Sequence, residues 1–442
     1  MRIAFLPIDN RPVCYTMPKI IAGIDKDVEF FIPERRFLGD LAKIADKDAL
    51  LIWLKNLPRV DAIILSLDTL VYGGLIPSRR GTETKEELYA RLSEIKEILK
   101  SKESKIYAVS SIMRISNNNF NEEEKAYWSE YGKKIFKYSY DLHKNGDAQT
   151  DVPAAIIEDY LSTRKRNFEI NKKYLEWQEE GLFDTLIFSK DDCAQYGLNV
   201  KEAEELQKLG GFTKTGADEI PLSLLSRAVN KKIKICPVYS EPDCTNLVSN
   251  YEDVSIAGSV EGQIELAGCE VSNFDDADLI LYVNNFKVNQ GEIVMKQSTE
   301  MFSGDFKTPQ KPFMIADVRF ANGSDNNFVK ALFKNKINSN LFYGYSGWNT
   351  SANTLGSLIC GGKFKFCAKN YSKSDFSRLQ IIRFLDDWGY QANVRQQLSQ
   401  PDSKISELMK PYEKELELFL NEKIDAKYSF PWNRLFEVEV WV

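Results

Sequence analysis

The sequence predicts an α/β protein of parallel β/α architecture with an α-helical C-terminal region. In the first third of the chain, short apolar runs alternate with amphipathic stretches. Strands that alternate with helices indicate a parallel sheet with its helices on the outside. Hydrophobic residues make up 43% and charged residues 28% of the 442 residues, as in an ordinary globular protein. A large core can therefore form without metal ions or disulfide bonds.

Nine apolar runs predict strands, and 436–442 predicts a further edge strand. This number of strands fits either a decorated (β/α)8-like barrel from residue 1 to about 240, or two doubly wound sheets that divide near residue 230. The sequence leaves both arrangements open. The nine runs are 3–8, 28–32, 62–67, 105–110, 185–189, 233–239, 279–283, 313–316 and 341–345.

Amphipathic stretches between the strands predict the helices, and a long polar segment at 117–183 reads as a helical insertion or cap. We therefore expect a catalytic β/α domain at 1–230 that contains this insertion, a second β/α region at 231–370, and a helical region at 371–442. The predicted helices are 18–24, 49–56, 84–101, 153–180, 200–209, 222–229, 260–267, 327–334, 350–360 and the tail 373–425.

The charge and apolar patterns exclude several classes of protein. The formal net charge is −6, with basic and acidic residues spread along the chain, whereas a nucleic-acid-binding protein normally has a basic face. The first apolar run is shorter than that of a signal peptide, and no run approaches the roughly 20 apolar residues that cross a membrane. We expect a cytoplasmic protein with a small-molecule substrate and no nucleic-acid or membrane partner. The oligomeric state is left open.

Cysteine and histidine are too few for several kinds of catalytic site. The seven cysteines are scattered and form no CxxC motif, which predicts reduced thiols rather than disulfide bonds or a zinc-thiolate site. His143 is the one histidine, and it lies at a predicted helix end before Gly146. Acid–base chemistry must therefore come mainly from Asp, Glu, Tyr, Lys or Cys, and no cofactor is expected.

Polar and aromatic residues follow most of the predicted strands, and in both arrangements function collects just beyond the C-terminal ends of parallel strands. Each cluster alone fits a turn, and Asp218 also fits a helix N-cap. Repeated arginine beside aspartate, with aromatic residues, suits a small polyhydroxylated or anionic substrate. The predicted substrate-binding residues are Asp9, Asn10, Arg11, Tyr72, Arg79, Arg114, Tyr196, Asp218, Arg319, Asn322, Trp348 and Asn349.

Asp191 and Asp192 form the most visible carboxylate pair and follow the fifth strand. If both face one ligand, mutual repulsion and burial raise one pKa, which leaves a protonated acid beside an anionic partner. Alternatively, Asp192 caps a following helix and Asp191 is exposed. The neighbouring Lys190 could orient an anion, although a surface position is the default expectation for a lysine.

Short motifs occur at many of these strand ends and also near the C-terminus. They are PIDNRP at 7–12, SLDTLVYGGLIPSR at 66–79, SKDD at 189–192 with YG at 196–197, GADE at 216–219, ADVRFANG at 316–323, YSGWNT at 345–350 and PWNR at 431–434. Together they resemble the motifs of DUF4127, a bacterial family named as a domain of unknown function. The resemblance implies one full-length unit rather than a fusion, and it implies no activity.

The chemistry of these residues favours a glycoside hydrolase or a related carbohydrate-active hydrolase. Asp191 or Asp192 would be the general acid, and Asp68 or Asp317 would be the second carboxylate or the transition-state stabiliser. The predicted arginines would bind an acidic group on the sugar, the aromatic residues would stack on its ring, and the asparagines would bind its hydroxyls. If the adjacent pair acts together, substrate-assisted cleavage of an N-acetylated sugar follows.

Two other classes fit the same residues. A metal-dependent hydrolase or lyase would use Asp9, Asp68, Asp191 and Asp317 as oxygen ligands of Mg²⁺ or Mn²⁺. A non-catalytic binding protein would close two α/β halves on a small anionic metabolite. Metal dependence and substrate turnover are the two properties that separate these classes from the glycosidase hypothesis.

Overall fold

The computed structural model describes residues 1–335 and 337–442, and the chain forms two compact units. The first unit comprises Met1–Asn10, Glu29–Pro221 and Tyr251–Asp253, and the second comprises Arg11–Val28, Leu222–Asn250 and Val254–Val442. Each unit therefore contains more than one stretch of the chain.

The first unit is built on a six-stranded parallel sheet with the order β2-β1-β3-β4-β5-β6. The order changes direction between β1 and β3, which makes their C-terminal ends the switch point of a doubly wound fold. The strands are β1 (Arg2–Leu6), β2 (Glu29–Phe31), β3 (Ala62–Ser66), β4 (Lys105–Ile112), β5 (Thr185–Lys190) and β6 (Phe212–Thr215).

The second unit is built on a five-stranded parallel sheet with the order β13-β11-β9-β7-β8. When these five strands are numbered in chain order, with β7 as the first, their order in the sheet is 2-1-3-4-5. The first five strands of the first unit have the same order. The short strands β10 and β12 pair in parallel, and β14 pairs antiparallel with β15. The strands are β7 (Lys234–Tyr239), β8 (Glu270–Val271), β9 (Leu279–Asn284), β10 (Gly291–Glu292), β11 (Phe313–Asp317), β12 (Phe320–Ala321), β13 (Phe342–Ser346), β14 (Lys427–Ser429) and β15 (Glu439–Trp441).

Helices connect most of the strands, and a π-helix at Phe384–Val394 continues directly from the helix before it. Short 3-10 turns lie at Arg35–Phe37, Pro242–Cys244, Arg395–Gln397 and Pro431–Asn433. The α-helices are α1 (Pro12–Gly23), α2 (Lys47–Lys55), α3 (Leu67–Val71), α4 (Leu75–Arg80), α5 (Lys85–Lys100), α6 (Trp128–Asn145), α7 (Ala154–Glu179), α8 (Leu198–Lys208), α9 (Ile220–Ala228), α10 (Ile256–Leu266), α11 (Asn326–Phe333), α12 (Ser351–Cys367), α13 (Lys373–Arg383) and α14 (Ile405–Leu420).

The parallel α/β class is confirmed, and the described strands form two large parallel sheets and two short strand pairs rather than one sheet that carries all the strands. Among the described residues, the end strands β2 and β6 each pair with one neighbour, so the sheet of the first unit is open. All nine predicted strands are present within a few residues. The sequence missed β6, because its four residues Phe-Thr-Lys-Thr contain a single apolar side chain and resemble a polar turn.

Apolar periodicity explains how the second unit forms its core. Leu279, Leu281 and Val283 are every second residue of β9, and all three are fully buried against α10 and α12. A period of two places these side chains on one face of the sheet. The neighbouring strands contribute residues to the same cluster, and the two helices pack on each other above it.

The insertion at 117–183 is helical, as predicted, and has its own apolar core. Trp128 and Ile135 of α6 pack with Tyr160 of α7 and with Met113, which directly follows β4. The insertion is therefore packed onto the strand end rather than attached by a flexible linker. No helix in the described part of the chain is long and apolar enough to cross a membrane.

We expect Gly132→Ala to lower the free energy of unfolding by about 1–3 kcal/mol, which is typical of overpacking. A Cβ atom at Gly132 would lie 2.1 Å from the Asn118 carbonyl oxygen and 2.6 Å from the Trp128 ring. Gly258→Ala in α10 is the control, because its Cβ would meet nothing closer than 3.4 Å, and alanine favours a helix by about 1 kcal/mol. Urea denaturation of both variants measures the difference. Equal stabilities would contradict the packing of α6.

Candidate functional site

Strand order brings several predicted residues of the first unit to one edge of its sheet. The strands β3, β4, β5 and β6 are consecutive neighbours and parallel, so their C-terminal ends line up. Asp68 lies in the helix directly after β3, Arg114 follows β4, and Asp191 follows β5. The Ser111 and Ser189 hydroxyls, 2.9 Å apart, join the ends of β4 and β5.

Arg114 is the centre of a cluster of four carboxylates. Its Nη2 lies 2.9 Å from Glu123, its Nε lies 3.0 Å from Glu124, and its Nη1 lies 3.3 Å from Asp191 and 3.4 Å from Asp192. Burial acts to lower the pKa of Arg114, but the four carboxylates outweigh it and hold this pKa well above its ordinary value. The guanidinium is therefore permanently charged and links the aspartate pair to the two glutamates.

A second guanidinium balances the charge of the two glutamates. Arg79 is buried and lies 2.8 Å from Glu124 and 3.9 Å from Glu123. Two arginines and two glutamates have no net charge together, and the shortest contacts are those between arginine and glutamate. Asp191 therefore adds negative charge beside a group of side chains that is neutral overall, and this charge opposes the ionisation of Asp192.

Asp192 has two properties expected of a group that donates a proton. Partial burial, together with the charge of Asp191, raises its pKa to about 7, although Arg114 acts in the opposite direction. Its side chain nevertheless keeps 33% of its surface exposed, and that of Asp191 keeps 25%. The backbone of Asp192 has φ 47°, a left-handed conformation that is uncommon outside glycine. It does not cap a helix, since α8 begins at Leu198 after Gly197.

Asp68 is held more deeply than the aspartate pair. It is almost fully buried, and its Oδ2 accepts the Ser111 N–H at 2.8 Å. Burial raises the pKa of Asp68 to about 7, while the Ser111 N–H and the charge of Arg79 lower it. Arg79 also lowers the pKa of Asp192. Both carboxyl groups therefore experience the field of the same arginine.

Lys190 lies inside the protein, although the sequence suggested the surface. Its side chain is 9% exposed and forms an ion pair with Asp253, which also accepts the Thr215 hydroxyl from the end of β6. The Cys193 N–H donates to the Tyr251 carbonyl at 3.1 Å. The short segment Tyr251–Asp253 therefore packs onto the ends of β5 and β6. No local pattern relates Asp253 to Lys190, because 63 residues separate them.

Glu219 is a further buried acid of the first unit. Burial is the largest cause that raises its pKa to about 8, and the charges of Asp218 and Glu252 act in the same direction. Its carboxylate accepts the Ala217 N–H at 3.1 Å. The predicted residue Asp218 is also buried. The motif at 216–219 is therefore an interior turn and not a surface loop.

The other predicted residues of the first unit lie near the same strand ends. Asp9 is buried after β1, and the Asn10 carbonyl accepts the Arg35 Nε at 2.8 Å. Tyr72 is buried with the Arg166 guanidinium over its ring at 5.8 Å. Tyr196 is half-buried, and its ring lies 5.4 Å from that of Tyr140. Their predicted contacts with substrate stay predictions.

His143 ends a helix, as the sequence predicts, but its side chain is only 10% exposed. The ring packs edge-on against Tyr196, and its Nδ1 accepts the Gly197 N–H at 3.1 Å. It therefore fixes the turn that precedes α8. The helix α6 stops at Gly146, which has φ 77°, the left-handed conformation that glycine adopts without strain.

The helix α7 presents polar side chains to the ends of β4 and α4. Asn171 accepts the Ser110 hydroxyl at 2.9 Å, and Asn167 donates to the Ser78 carbonyl at 2.9 Å. Arg164 pairs with Glu202 at 2.6 Å. These residues lie on a helix, so no strand-end motif contains them.

Asp317 and Arg319, also predicted for the site, lie in the second unit and are fully buried. Asp317 accepts hydrogen bonds from Asn284 at 2.8 Å, the Asp325 N–H at 2.8 Å and the Tyr345 hydroxyl at 3.1 Å. Burial, with the charge of Asp325, raises the pKa of Asp317 to about 8. These buried hydrogen bonds join the ends of β9, β11 and β13. A catalytic role for Asp317 stays a prediction.

The remaining predicted residues of the second unit occupy two neighbouring loops and the start of α1. Asn322 and Asn349 have φ 60° and 54°, and the Asn322 N–H donates to the Asn349 carbonyl at 2.8 Å. Trp348 is buried under the Arg383 guanidinium. Arg11 is buried and pairs with Glu437 at 3.0 Å.

A second pair of adjacent aspartates lies in the π-helix of the second unit. Arg383 pairs with Asp386 at 2.8 Å and with Asp387 at 3.1 Å, so one arginine binds two successive aspartates, as Arg114 does. Asp387 is fully buried and accepts the Gly347 N–H at 2.7 Å. Burial raises the pKa of Asp387 to about 7. The two aspartates are adjacent in the sequence, but they lie in a helix and follow no strand.

Carboxylates dominate the polar clusters of both units, but they are arranged around arginines. Across residues 1–335 and 337–442, no group of three or more histidine, cysteine, aspartate or glutamate side chains is arranged to hold a metal ion. The cysteines of the described residues are unpaired thiols.

Fold and site together define an α/β protein of two units, each with a parallel doubly wound sheet, in which the first unit places an acidic pair at its strand ends. The chain belongs to the family described as "Protein of unknown function (DUF4127)", whose family model matches residues 3–441. This match confirms the resemblance that the sequence motifs indicated. Comparison with curated proteins and with solved structures gives no match.

Proposed function

We propose that the protein is a glycoside hydrolase or a closely related carbohydrate-active hydrolase, with Asp191 and Asp192 as its working carboxylates. The observation that carries this proposal is a partly exposed pair at a strand end in which one carboxyl group has a pKa of about 7. Glycosidases use two carboxyl groups, of which one is protonated and one is ionised at the working pH.

The geometry around Arg114 is compatible with a retaining mechanism. The Oδ2 atoms of Asp191 and Asp192 lie 3.3 Å and 3.4 Å from the same Nη1 atom, so their separation cannot exceed the sum of these two distances. Retaining glycosidases hold their carboxyl groups about 5–5.5 Å apart, and inverting ones hold them roughly 6.5–9.5 Å apart. In this proposal Asp192 protonates the glycosidic oxygen. Asp191 attacks the anomeric carbon, or orients the acetamido group of an N-acetylated sugar so that its carbonyl oxygen attacks, and the bond to the protonated alcohol breaks. Water that Asp192 then deprotonates attacks the anomeric carbon and releases the sugar.

The charge balance of the cluster favours an uncharged sugar over an acidic one. Arg79 and Arg114 are two of the residues predicted to bind an anionic group, but Glu123 and Glu124 already neutralise them at short distances. An acidic substrate would meet the negative aspartate pair without a compensating cation. Neutral hexosides and N-acetylhexosaminides therefore fit the cluster better than uronides.

A panel of aryl glycosides tests the proposal directly. We expect release of the aryl group from a neutral or N-acetylated glycoside, at the same rate with and without EDTA. Loss of activity with EDTA would instead support a hydrolase or lyase that needs Mg²⁺ or Mn²⁺. Binding of a small metabolite without turnover would support the binding-protein alternative. The absence of turnover on every glycoside of the panel would overturn the proposal.

The pH dependence of hydrolysis should report the proton on Asp192. Because the acid must be protonated and its pKa is about 7, we expect kcat/KM to fall as the pH rises above 7. The negative charge of Glu123 raises this pKa, so Glu123→Gln should move the falling limb to lower pH by on the order of one unit. Glu94→Gln on the exposed face of α5 is the control. An unchanged limb in Glu123→Gln would disagree with the proposed acid.

A further inference from the structure

Three arginines and two aromatic rings alternate in a continuous stack in the second unit, which we call the arginine ladder. The Arg11 guanidinium lies 5.2 Å and that of Arg434 lies 4.5 Å from the Trp432 ring. Arg434 also lies 5.0 Å from the Phe436 ring, and Arg395 lies 5.1 Å from the same ring. Such cation–π contacts fix guanidinium planes against aromatic faces.

The backbone conformation of the segment 431–436 positions the aromatic rings and Arg434 of the ladder. Trp432 lies in the 3-10 turn Pro431–Asn433, and Arg434 and Phe436 follow directly after this turn. Trp432 and the next residue, Asn433, have φ 57° and 51°. Two successive left-handed residues without glycine cost conformational energy, and such strain concentrates at ligand-binding and switch segments. The PWNR motif at 431–434 is therefore held in a strained backbone conformation by the residues around it.

Hydrogen bonds from the π-helix hold the backbone of the ladder in position. The Tyr390 hydroxyl donates to the Leu435 carbonyl at 2.6 Å, and the Gln391 Nε2 donates to the Phe436 carbonyl at 3.1 Å. The Gln391 Oε1 in turn accepts the Arg395 Nη1 at 2.9 Å. One glutamine amide thus fixes both the backbone of Phe436 and the guanidinium that covers its ring.

Arg395 differs from the four arginines that the sequence predicted for substrate binding. Each of those four pairs with a carboxylate within 3.0 Å. No carboxylate of the described residues lies within ion-pair distance of Arg395, and its Nε and Nη2 donate to no described residue. Burial lowers its pKa, and the charges of the nearby Glu292, Asp386 and Glu437 act against this effect.

Each of these three acids forms its ion pair or hydrogen bond with a residue other than Arg395. Glu437 pairs with Arg11, Asp386 pairs with Arg383, and Glu292 accepts the Asn322 side-chain amide. The half-buried Arg395 therefore presents a fixed guanidinium edge whose charge no ion pair neutralises. A guanidinium edge with two N–H donors matches an oxyanion, either a carboxylate or a phosphate.

We propose that the arginine ladder is a binding site for the oxyanion of a small molecule, with Arg395 as the residue that contacts the carboxylate or phosphate group. Gln391 and Phe436 hold Arg395 in its binding orientation. The proposal does not depend on the glycosidase activity, since it concerns binding to residues of the second unit alone.

Isothermal titration of the full-length protein at constant ionic strength tests the site with four probes: inorganic phosphate, glucose 6-phosphate, glucuronate and glucose. We expect at least one anionic probe to bind at least tenfold more tightly than glucose. Tighter binding of glucose 6-phosphate than of glucuronate would support a phosphate ligand, and the reverse would support a carboxylate ligand. If none of the three anions binds more tightly than glucose, the proposal is wrong.

Arg395→Met should weaken binding of the preferred anion at least tenfold. Arg395→Lys, which keeps the charge but loses the planar pair of donors, should weaken it less. Lys404→Met removes one positive charge from an exposed position of the same unit and should leave the affinity within twofold. Circular dichroism confirms that each variant is folded. Wild-type affinity in both Arg395 variants would overturn the proposal.

Discussion

Asp192→Asn should reduce kcat/KM for glycoside hydrolysis by about 10²–10⁴-fold, the usual contribution of a positioned general acid. Asparagine has nearly the same shape as aspartate but cannot donate a carboxyl proton to the leaving oxygen. The substitution also removes the charge repulsion with Asp191 that helps to raise the pKa of Asp192. We therefore expect the variant to fold at least as well as the wild type, so that the loss reflects chemistry.

The leaving group distinguishes a general acid from a residue that only shapes the site. A dinitrophenolate leaves without protonation, whereas an alkyl alcohol must be protonated as the bond breaks. We expect Asp192→Asn to lose little activity on dinitrophenyl glycosides and most of its activity on alkyl glycosides. Asp147→Asn, at an exposed position in the loop after α6, is the matched control. Equal losses on both leaving groups would show that Asp192 is not the proton donor.

Asp191 should behave differently if it is the nucleophile or orients the substrate. Asp191→Asn removes a negative charge rather than a proton, so activity should fall on activated and unactivated glycosides alike. Formate or azide can enter the space of a truncated side chain, and we expect either anion to restore part of the activity of Asp191→Gly. Full activity in both Asp191→Asn and Asp192→Asn would remove the basis of the proposed function.

The sequence predicted the fold well because local patterns encode it. The strands β3 and β9 contain the uninterrupted apolar runs 62–65 and 279–283, since both faces of a parallel sheet are covered by helices. The helix α5 begins with a capping box of Thr84 and Glu87, which is visible in the sequence. Pairing order is not local, and it decides between one barrel and two sheets. The sequence could therefore give the strands but not their order.

The candidate site was predicted in part, and the missed residues share a physical reason. Asp191, Asp192 and Arg114 directly follow strands, so the strand-end rule found them. Glu123 and Glu124 lie in an acidic run that reads as a solvated loop, yet Glu124 is buried against two arginines. Long-range ion pairs leave no periodic pattern, and their members are ordinary charged residues in the sequence.

Arginine roles were the least predictable feature of the molecule. A guanidinium beside a strand end suits an anionic ligand and a buried carboxylate equally well. Arg79, Arg114 and Arg319 all bind carboxylates of the chain itself. Arg395, which no strand-end motif contains, has no such partner among the described residues. Which arginines are available to a ligand is thus decided by tertiary structure.

Arg319→Met should lower the free energy of unfolding by about 3–5 kcal/mol, as expected when one partner of a buried ion pair is removed. Arg319 is fully buried, and its Nη2 lies 2.7 Å from Glu241 while its Nε lies 3.5 Å from Asp325. The same guanidinium donates to Asn284 at 3.2 Å and to the Glu300 carbonyl at 2.9 Å. Methionine fills much of the volume but can neither donate a hydrogen bond to these acceptors nor balance the charge of Glu241 and Asp325.

An exposed ion pair provides the control for this effect. Arg59 and Glu103 are 3.6 Å apart with side chains that are 83% and 79% exposed, so Arg59→Met should change stability by at most about 1 kcal/mol. Arg319→Lys keeps the charge but cannot reach all four acceptors with one ammonium group, so its stability should lie between that of Arg319→Met and the wild type. Urea titration monitored by tryptophan fluorescence measures all three variants. If Arg319→Met proved as stable as Arg59→Met, the polar network would not hold the strand ends of the second unit together.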